Sequence, residues 1–295
     1  MKHYGRFLAV LAVFAVVLIG CAASRLDVAK QQFVLAVEAE NPLPHYKAAL
    51  EELDATLASD PNFYQAYALK GLIYRNLEDF ENAGKFLKLA ESGSYEGDLQ
   101  WVPAIMNLTY GDIFHRKAGD SLRSRDLERA KTDQETAFQF FNKVIDLSFD
   151  DVGNFSADTT LGVSMRDLYI KAQARWAAGK FQMAAIVGRE SKEQQNEFLR
   201  EAVVRLNGVI ENYPEETSLR YYLAEGYRKQ ALTIRKSSPE EGERLQERAL
   251  AQLRVCGELG LPKDLRNPAA QLVRQIAPGT ETDIEMKILG TSSTE

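Results

Sequence analysis

Two hydrophobic patterns divide the chain. Thirteen residues from Phe7 to Ile19 are apolar without a break, whereas after residue 24 apolar side chains recur every three or four positions among Ala, Glu, Lys, Gln and Arg. The second pattern predicts amphipathic helices, and no convincing alternating run of strand type interrupts it before the C-terminal stretch. One stripe occurs five times: Ala49/Leu53/Thr56, Ala83/Leu87/Ala90, Ala137/Phe141/Val144, Ala202/Leu206/Val209 and Ala249/Leu253/Cys256. Spacing of i, i+4, i+7 places each trio on one helical face, and the leading Ala lets a partner helix approach closely. Successive Ala residues of the stripe lie 34, 54, 65 and 47 positions apart.

The first of these steps equals the period of tetratricopeptide repeats, about 34 residues. Between Tyr64 and Ala90, Tyr67, Gly71 and Tyr74 occupy a first helix, and Phe80, Ala83, Leu87 and Ala90 a second. Asp60-Pro61 ends the preceding helix, since proline disfavours helix at the residue before it. This stretch resembles a tetratricopeptide repeat in register. One departure is Lys70, where the family usually carries Leu; the neighbouring Leu69 is expected to take that role. Tyr46 and Ala49 match the second-helix pattern one repeat earlier, and Leu223, Ala224 and Tyr227 reproduce the first-helix pattern after Tyr213-Pro214. A generic helical bundle would share the stripes, but not the register of Gly71, Tyr74, Ala83 and Asp60-Pro61. The resemblance implies an all-α fold, a right-handed α-solenoid of about five helical hairpins with elongated middle repeats, over residues 21–276.

The middle hairpins are read as Trp101–Lys117 with Arg125–Leu147, and Met165–Arg189 with Glu193–Asn212. A turn is expected at Ala118-Gly119-Asp120, and the long helix either continues through Gly179-Lys180-Phe181 or breaks there. Ser148–Ser164 is rich in turn formers and exceeds the usual connection length. Residues 277–295 begin on Pro278-Gly279 and are expected to add at most a short extended piece before a frayed tail.

The unbroken apolar run has a different meaning. Lys2 and Arg6 precede it, and it is too short to span a bilayer, which takes about 20 residues, but has the length of a signal-peptide core. Leu18-Ile19-Gly20-Cys21 closes it. That tetrapeptide resembles the lipobox of bacterial lipoproteins, which implies removal of residues 1–20 and acylation of Cys21. Ala22, rather than Asp, follows the cysteine, which in that family favours the outer membrane, facing the periplasm, in a host with two membranes. Without Lys2 and Arg6 the chain keeps 34 basic against 42 acidic residues, a balance that argues against nucleic acid. Once Cys21 is acylated, Cys256 is the single remaining thiol and no intramolecular disulfide can form.

Catalytic chemistry finds little support. His3 leaves with the signal peptide, and His45 and His115 have no Cys or His at metal-ligand spacing. Cys256 falls on the buried face of its helix, as a packing residue would. Asp150, Asp151, Asn154 and Asp158 lack the alternating ligands and terminal Glu of a calcium loop. There is no phosphate-binding glycine loop and no nucleophile elbow. Trp101 and Trp176 are read as core residues. Of Tyr221 and Tyr222, one ring should face the core and the other a groove. No enzyme, cofactor or metal is therefore expected.

Binding is the better-supported expectation. In arrays of the family it resembles, first helices line a groove for an extended peptide or partner helix. Carried over by position, the groove residues are Gln65, Ala68, Leu72, Arg75 and Asn76; Ile105, Leu108, Asp112, His115 and Arg116; and Ser218, Tyr221, Glu225, Arg228 and Lys229. The Lys/Asn set that clamps a C-terminal carboxylate in some members is missing. The sequence reads as a membrane-anchored adaptor for envelope proteins. The rival reading is a carrier of a small or lipid-like molecule, which a sealed apolar cavity would favour and an open polar groove would disfavour.

Overall fold

The computed structural model describes residues 24–37, 39–94, 101–148, 164–279 and 282–290. Among them it is all-α, with twelve helices: α1 (24–37), α2 (Leu43–Ser59), α3 (Tyr64–Asn76), α4 (Phe80–Ala90), α5 (Trp101–Arg123), α6 (Leu127–Leu147), α7 (Met165–Val187), α8 (Lys192–Asn212), α9 (Thr217–Ile234), α10 (Pro239–Leu259), α11 (Lys263–Ile276) and α12 (Thr282–Leu289). The stretch read as a signal peptide with a lipobox, and Asp150, Asp151, Asn154 and Asp158, lie outside the described residues.

The described helices form hairpins, and packing follows chain order. α2 lies on α3 and α3 on α4; further along, α8 lies on α9, α9 on α10, and α10 on both α11 and α12. This is the order of an α-solenoid, in which each helix buries its apolar stripe on sequence neighbours. Compactness divides the chain into two units. One holds residues up to Ile113 together with Asp146–Leu168, and the other holds Phe114–Ile145 and everything from Tyr169 on.

The Ala-led stripes explain the pairing. All five fall on the even helices α2, α4, α6, α8 and α10, and every one of their fifteen side chains is buried. Small residues on the facing helices complete the fit. A Cβ on Gly71 of α3 would stand 2.6 Å from Leu87 Cγ and Cδ2 on α4, and one on Gly226 of α9 would stand 2.8 Å from Val203 Cγ2 on α8. Tyr67 and Tyr74 stack on Phe86, with ring centroids 6.5 Å and 5.3 Å away. Both Leu69 and Lys70 are buried; Lys70 offsets its desolvation by pairing with Asp54 and by lying 4.3 Å from the Phe86 ring centroid.

Two expectations about helix ends are corrected. Ala118-Gly119-Asp120 is helix, with Ala118 fully buried, and the α5–α6 turn falls instead at Ser124-Arg125-Asp126. The physical reason is a stop signal that recurs one hairpin earlier. Arg125 (φ 65°) and Glu78 (φ 60°) take the left-handed conformation, and the amides of the following Asp126 and Asp79 donate to Ser121 O and Tyr74 O at 2.9 Å. Each Asp then caps the next helix, accepting from Arg129 N at 3.2 Å and Asn82 N at 3.1 Å.

The C-terminal stretch is the other correction. Far from being extended, residues Thr282–Leu289 form α12, which buries Ile284 and Ile288 against α10 and α11. Pro278-Gly279 marks a turn between helices, not the end of structure. Gly257 of α10 leaves the room: a Cβ there would come within 3.1 Å of Lys287 Cβ. At the alternative break point, α7 runs unbroken through Gly179 because Phe138 packs so close that a Cβ would meet its Cε1 at 2.7 Å.

Candidate binding surface

The expected groove positions separate into two kinds. In the first unit they are occupied by internal contacts. Ala68, Leu72, Ile105, Leu108 and Asp112 are buried, which takes them off any ligand-facing surface. Arg75 donates from Nε and Nη2 to Asp112 Oδ2, at 3.2 Å and 2.7 Å, and from Nη1 to Asn76 Oδ1 at 3.3 Å. Asn76 in turn donates to the Tyr46 hydroxyl at 3.1 Å. This charge-assisted network ties α3 to α5 and α2. Tyr110 donates to Glu91 Oε1 at 2.8 Å, and burial together with that carboxylate raises its pKa. Gln65 is half-buried.

The second unit keeps some of its positions open. His115 pairs through Nδ1 with Gln134 Oε1 at 2.7 Å, a contact between α5 and α6. Tyr221 and Tyr222 are both half-buried, both pack against the core, and their rings meet edge to face at 5.1 Å. Burial, then Glu225 and Tyr222, raise the Tyr221 pKa. Glu225 pairs with Lys229 at 3.2 Å. Leu223 and Ala224 pack in the core, and Tyr227 bonds Asn207. Trp101 and Trp176 are both buried.

Arg228 and Lys229 line a recess. A cleft of about 390 Å³ is lined by Phe181, Ala184 and Ala185 of α7, by Lys192, Gln195 and Leu199 of α8, and by Arg228, Lys229, Leu232 and Thr233 of α9 with Lys236 beyond it. Its floor is apolar, with Phe181, Ala184 and Leu199 buried, while Leu232 at the rim is 52% exposed. Four cations line it and no carboxylate does. Lys192 donates to Gln195 Oε1 at 3.0 Å, and Arg228 Nε is buried without a hydrogen-bond partner among the described residues. The sequence reading reached Arg228 and Lys229 but missed Lys192, Leu232 and Lys236. Arg228 and Leu232 are four residues apart and share one face of α9, while Lys236 follows in the turn after the helix, so the spacing signalled Leu232 and not Lys236.

Nucleophilic chemistry has no foothold at the thiol. Cys256 is fully buried, donates to Thr217 O at 3.4 Å, and burial pushes its pKa up to about 12. Such a group stays a thiol at neutral pH. Among the described residues no three His, Cys, Asp or Glu side chains converge as metal ligands, and no helix is long and apolar enough to cross a membrane.

No protein-family model matches the sequence, and no curated protein does. Among solved structures, the crystal structure of the P58(IPK) TPR domain aligns over 91% of this chain and 96% of its own, at 12% identity and a TM-score of 0.23. The helix order and stripes described above stand on this chain's own residues.

Proposed function

We propose that the chain is a membrane-anchored adaptor that holds a partner protein of the cell envelope through its helical array. The observation that carries this is the cleft between α7, α8 and α9: an apolar floor with a charged rim, open to solvent at Leu232 and Lys236. Such a surface suits a polypeptide, which brings apolar and polar groups together. The rival carrier reading calls for an enclosed apolar chamber, and a cleft with four cations in its wall does not supply one. Cys21 provides the anchor in this reading, with the outer membrane facing the periplasm as its site. Acyl chains hold a protein stably when two or more are present.

The test is purification of the lipidated chain from native membranes after cross-linking, with Cys21→Ser as the anchoring control. Recovery of one envelope protein in fixed proportion, at native expression, is the expected result. Recovery of the chain alone, with a lipid or small molecule in its mass spectrum, would replace the adaptor reading with the carrier reading.

A further inference from the structure

We infer that the α7–α8–α9 cleft is the docking site for an acidic segment of the partner protein, one presenting carboxylates around an apolar side chain. The inference rests on the adaptor reading and names the chemistry of its partner. Charge complementarity is the argument. The whole chain carries a formal charge of −6, yet this recess gathers Lys192, Arg228, Lys229 and Lys236 with no acidic residue in its lining. Clustered like charges repel, so a recess lined by one sign is favoured when an opposite charge meets it.

The cations differ in their state. Lys229 is neutralised by Glu225 at 3.2 Å, from outside the lining. Lys192 donates to the neutral Gln195 at 3.0 Å and pairs with no carboxylate among the described residues. Arg228 Nε is withdrawn from solvent without an acceptor among the described residues, a condition that costs free energy until an acceptor arrives. A carboxylate suits it, since a guanidinium offers a planar fork of donors. The first turn of α8 adds its partial positive charge beside Lys192, its cap Ser191 accepting from Gln194 N at 3.2 Å.

The floor selects against a bare anion. Phe181 and Leu199 make the base of the cleft apolar, and Leu232 stands 52% exposed at its edge. A Leu or Phe flanked by Asp or Glu would cover that surface while its carboxylates meet the rim. At about 390 Å³ the recess accommodates a few side chains of a peptide, not a folded domain.

The experiment uses the full chain in detergent and a fluorescein-labelled peptide of about twelve residues, with Glu residues four apart around a central Leu. A peptide with Lys for every Glu is the comparison. The acidic peptide should bind, weaken as salt rises, and lose affinity roughly tenfold or more in Arg228→Gln/Lys236→Gln. Lys236→Glu alone, at an exposed position, gives the same direction without risk to folding. Equal binding of both peptides, or equal affinity in the variants, overturns the inference. So does full competition by inorganic phosphate, which would mark a simple anion site, or cleft-dependent binding to phosphatidylglycerol vesicles in place of the peptide. A partner recovered from membranes equally well by the variants would leave the adaptor reading standing and remove this site.

Discussion

Individual residues show how narrow the tolerances are. Gly71 sits in the middle of α3, where Ala would ordinarily improve a helix by about 1 kcal/mol. Here an added Cβ would press on the buried Leu87 at 2.6 Å, and Leu87 has nowhere to retreat. Overpacking of a filled core costs about 1–3 kcal/mol, which outweighs the propensity gain. Gly71→Ala is therefore expected to lower stability, measured by urea unfolding followed by circular dichroism. Asp79 offers a test with a sign in pH. Its carboxylate accepts from the Asn82 side chain at 2.7 Å and its amide at 3.1 Å, and those bonds hold its pKa below the ordinary 3.8. A folded pKa that is depressed means stabilisation present above the unfolded value and lost as pH falls through the folded one. Asp79→Ala should cost about 1 kcal/mol at pH 7, the usual worth of an N-cap, and the gap from wild type should close as the solution is acidified below pH 4. At this scale the candidate site was only partly legible. Arg75 and Asp112 were each placed on a groove by repeat position, but position along a helix does not tell whether two charges will find each other across α3 and α5.

Helices were more legible than their ends. The five Ala-led stripes identified the even helices because burial imposes a periodicity that sequence displays directly. The turns were harder. Glycine at 118–120 drew the expected α5–α6 break, whereas the chain turns at Arg125, an unsignalled residue in the left-handed conformation. That conformation costs a non-glycine residue about 1–2 kcal/mol, which makes a specific prediction: Arg125→Gly and Glu78→Gly should each raise stability by about 0.5–1 kcal/mol, after the entropy that glycine loses on folding. Thermal melts of both variants would check it, and destabilisation would show that the two turns are relaxed by some other means. α12 escaped notice because eight residues with two isoleucines give too short a period to distinguish from a tail. Yet Ile284 and Ile288 are buried. Ile284→Ala should cost about 2–5 kcal/mol, as other large-to-small core changes do, and should speed proteolysis at the α11–α12 turn before any site in α2–α4 becomes sensitive.

At the scale of the molecule, the proposed reading assigns attachment and recognition to different parts of the chain. In the proposed reading attachment falls to Cys21, three residues before α1 begins. In cells expressing the natural chain, the protein should fractionate with membranes and partition into detergent, and its N-terminal peptide should carry the mass of acyl chains. With Cys21→Ser, the acyl mass should vanish. A chain released by cleavage elsewhere should become soluble, while an uncleaved chain should stay bound through Phe7–Ile19, so the N-terminal sequence must be read alongside fractionation. Neither outcome should touch the fold, because α1 already buries Leu26, Ala29, Phe33 and Ala36 through its own stripe. Nor should it touch the cleft, whose cations all lie beyond residue 190. An acidic peptide should therefore bind the Cys21→Ser chain as tightly as the acylated one. If affinity instead falls with the anchor, recognition depends on the membrane, and separate roles for anchor and cleft would have to be abandoned.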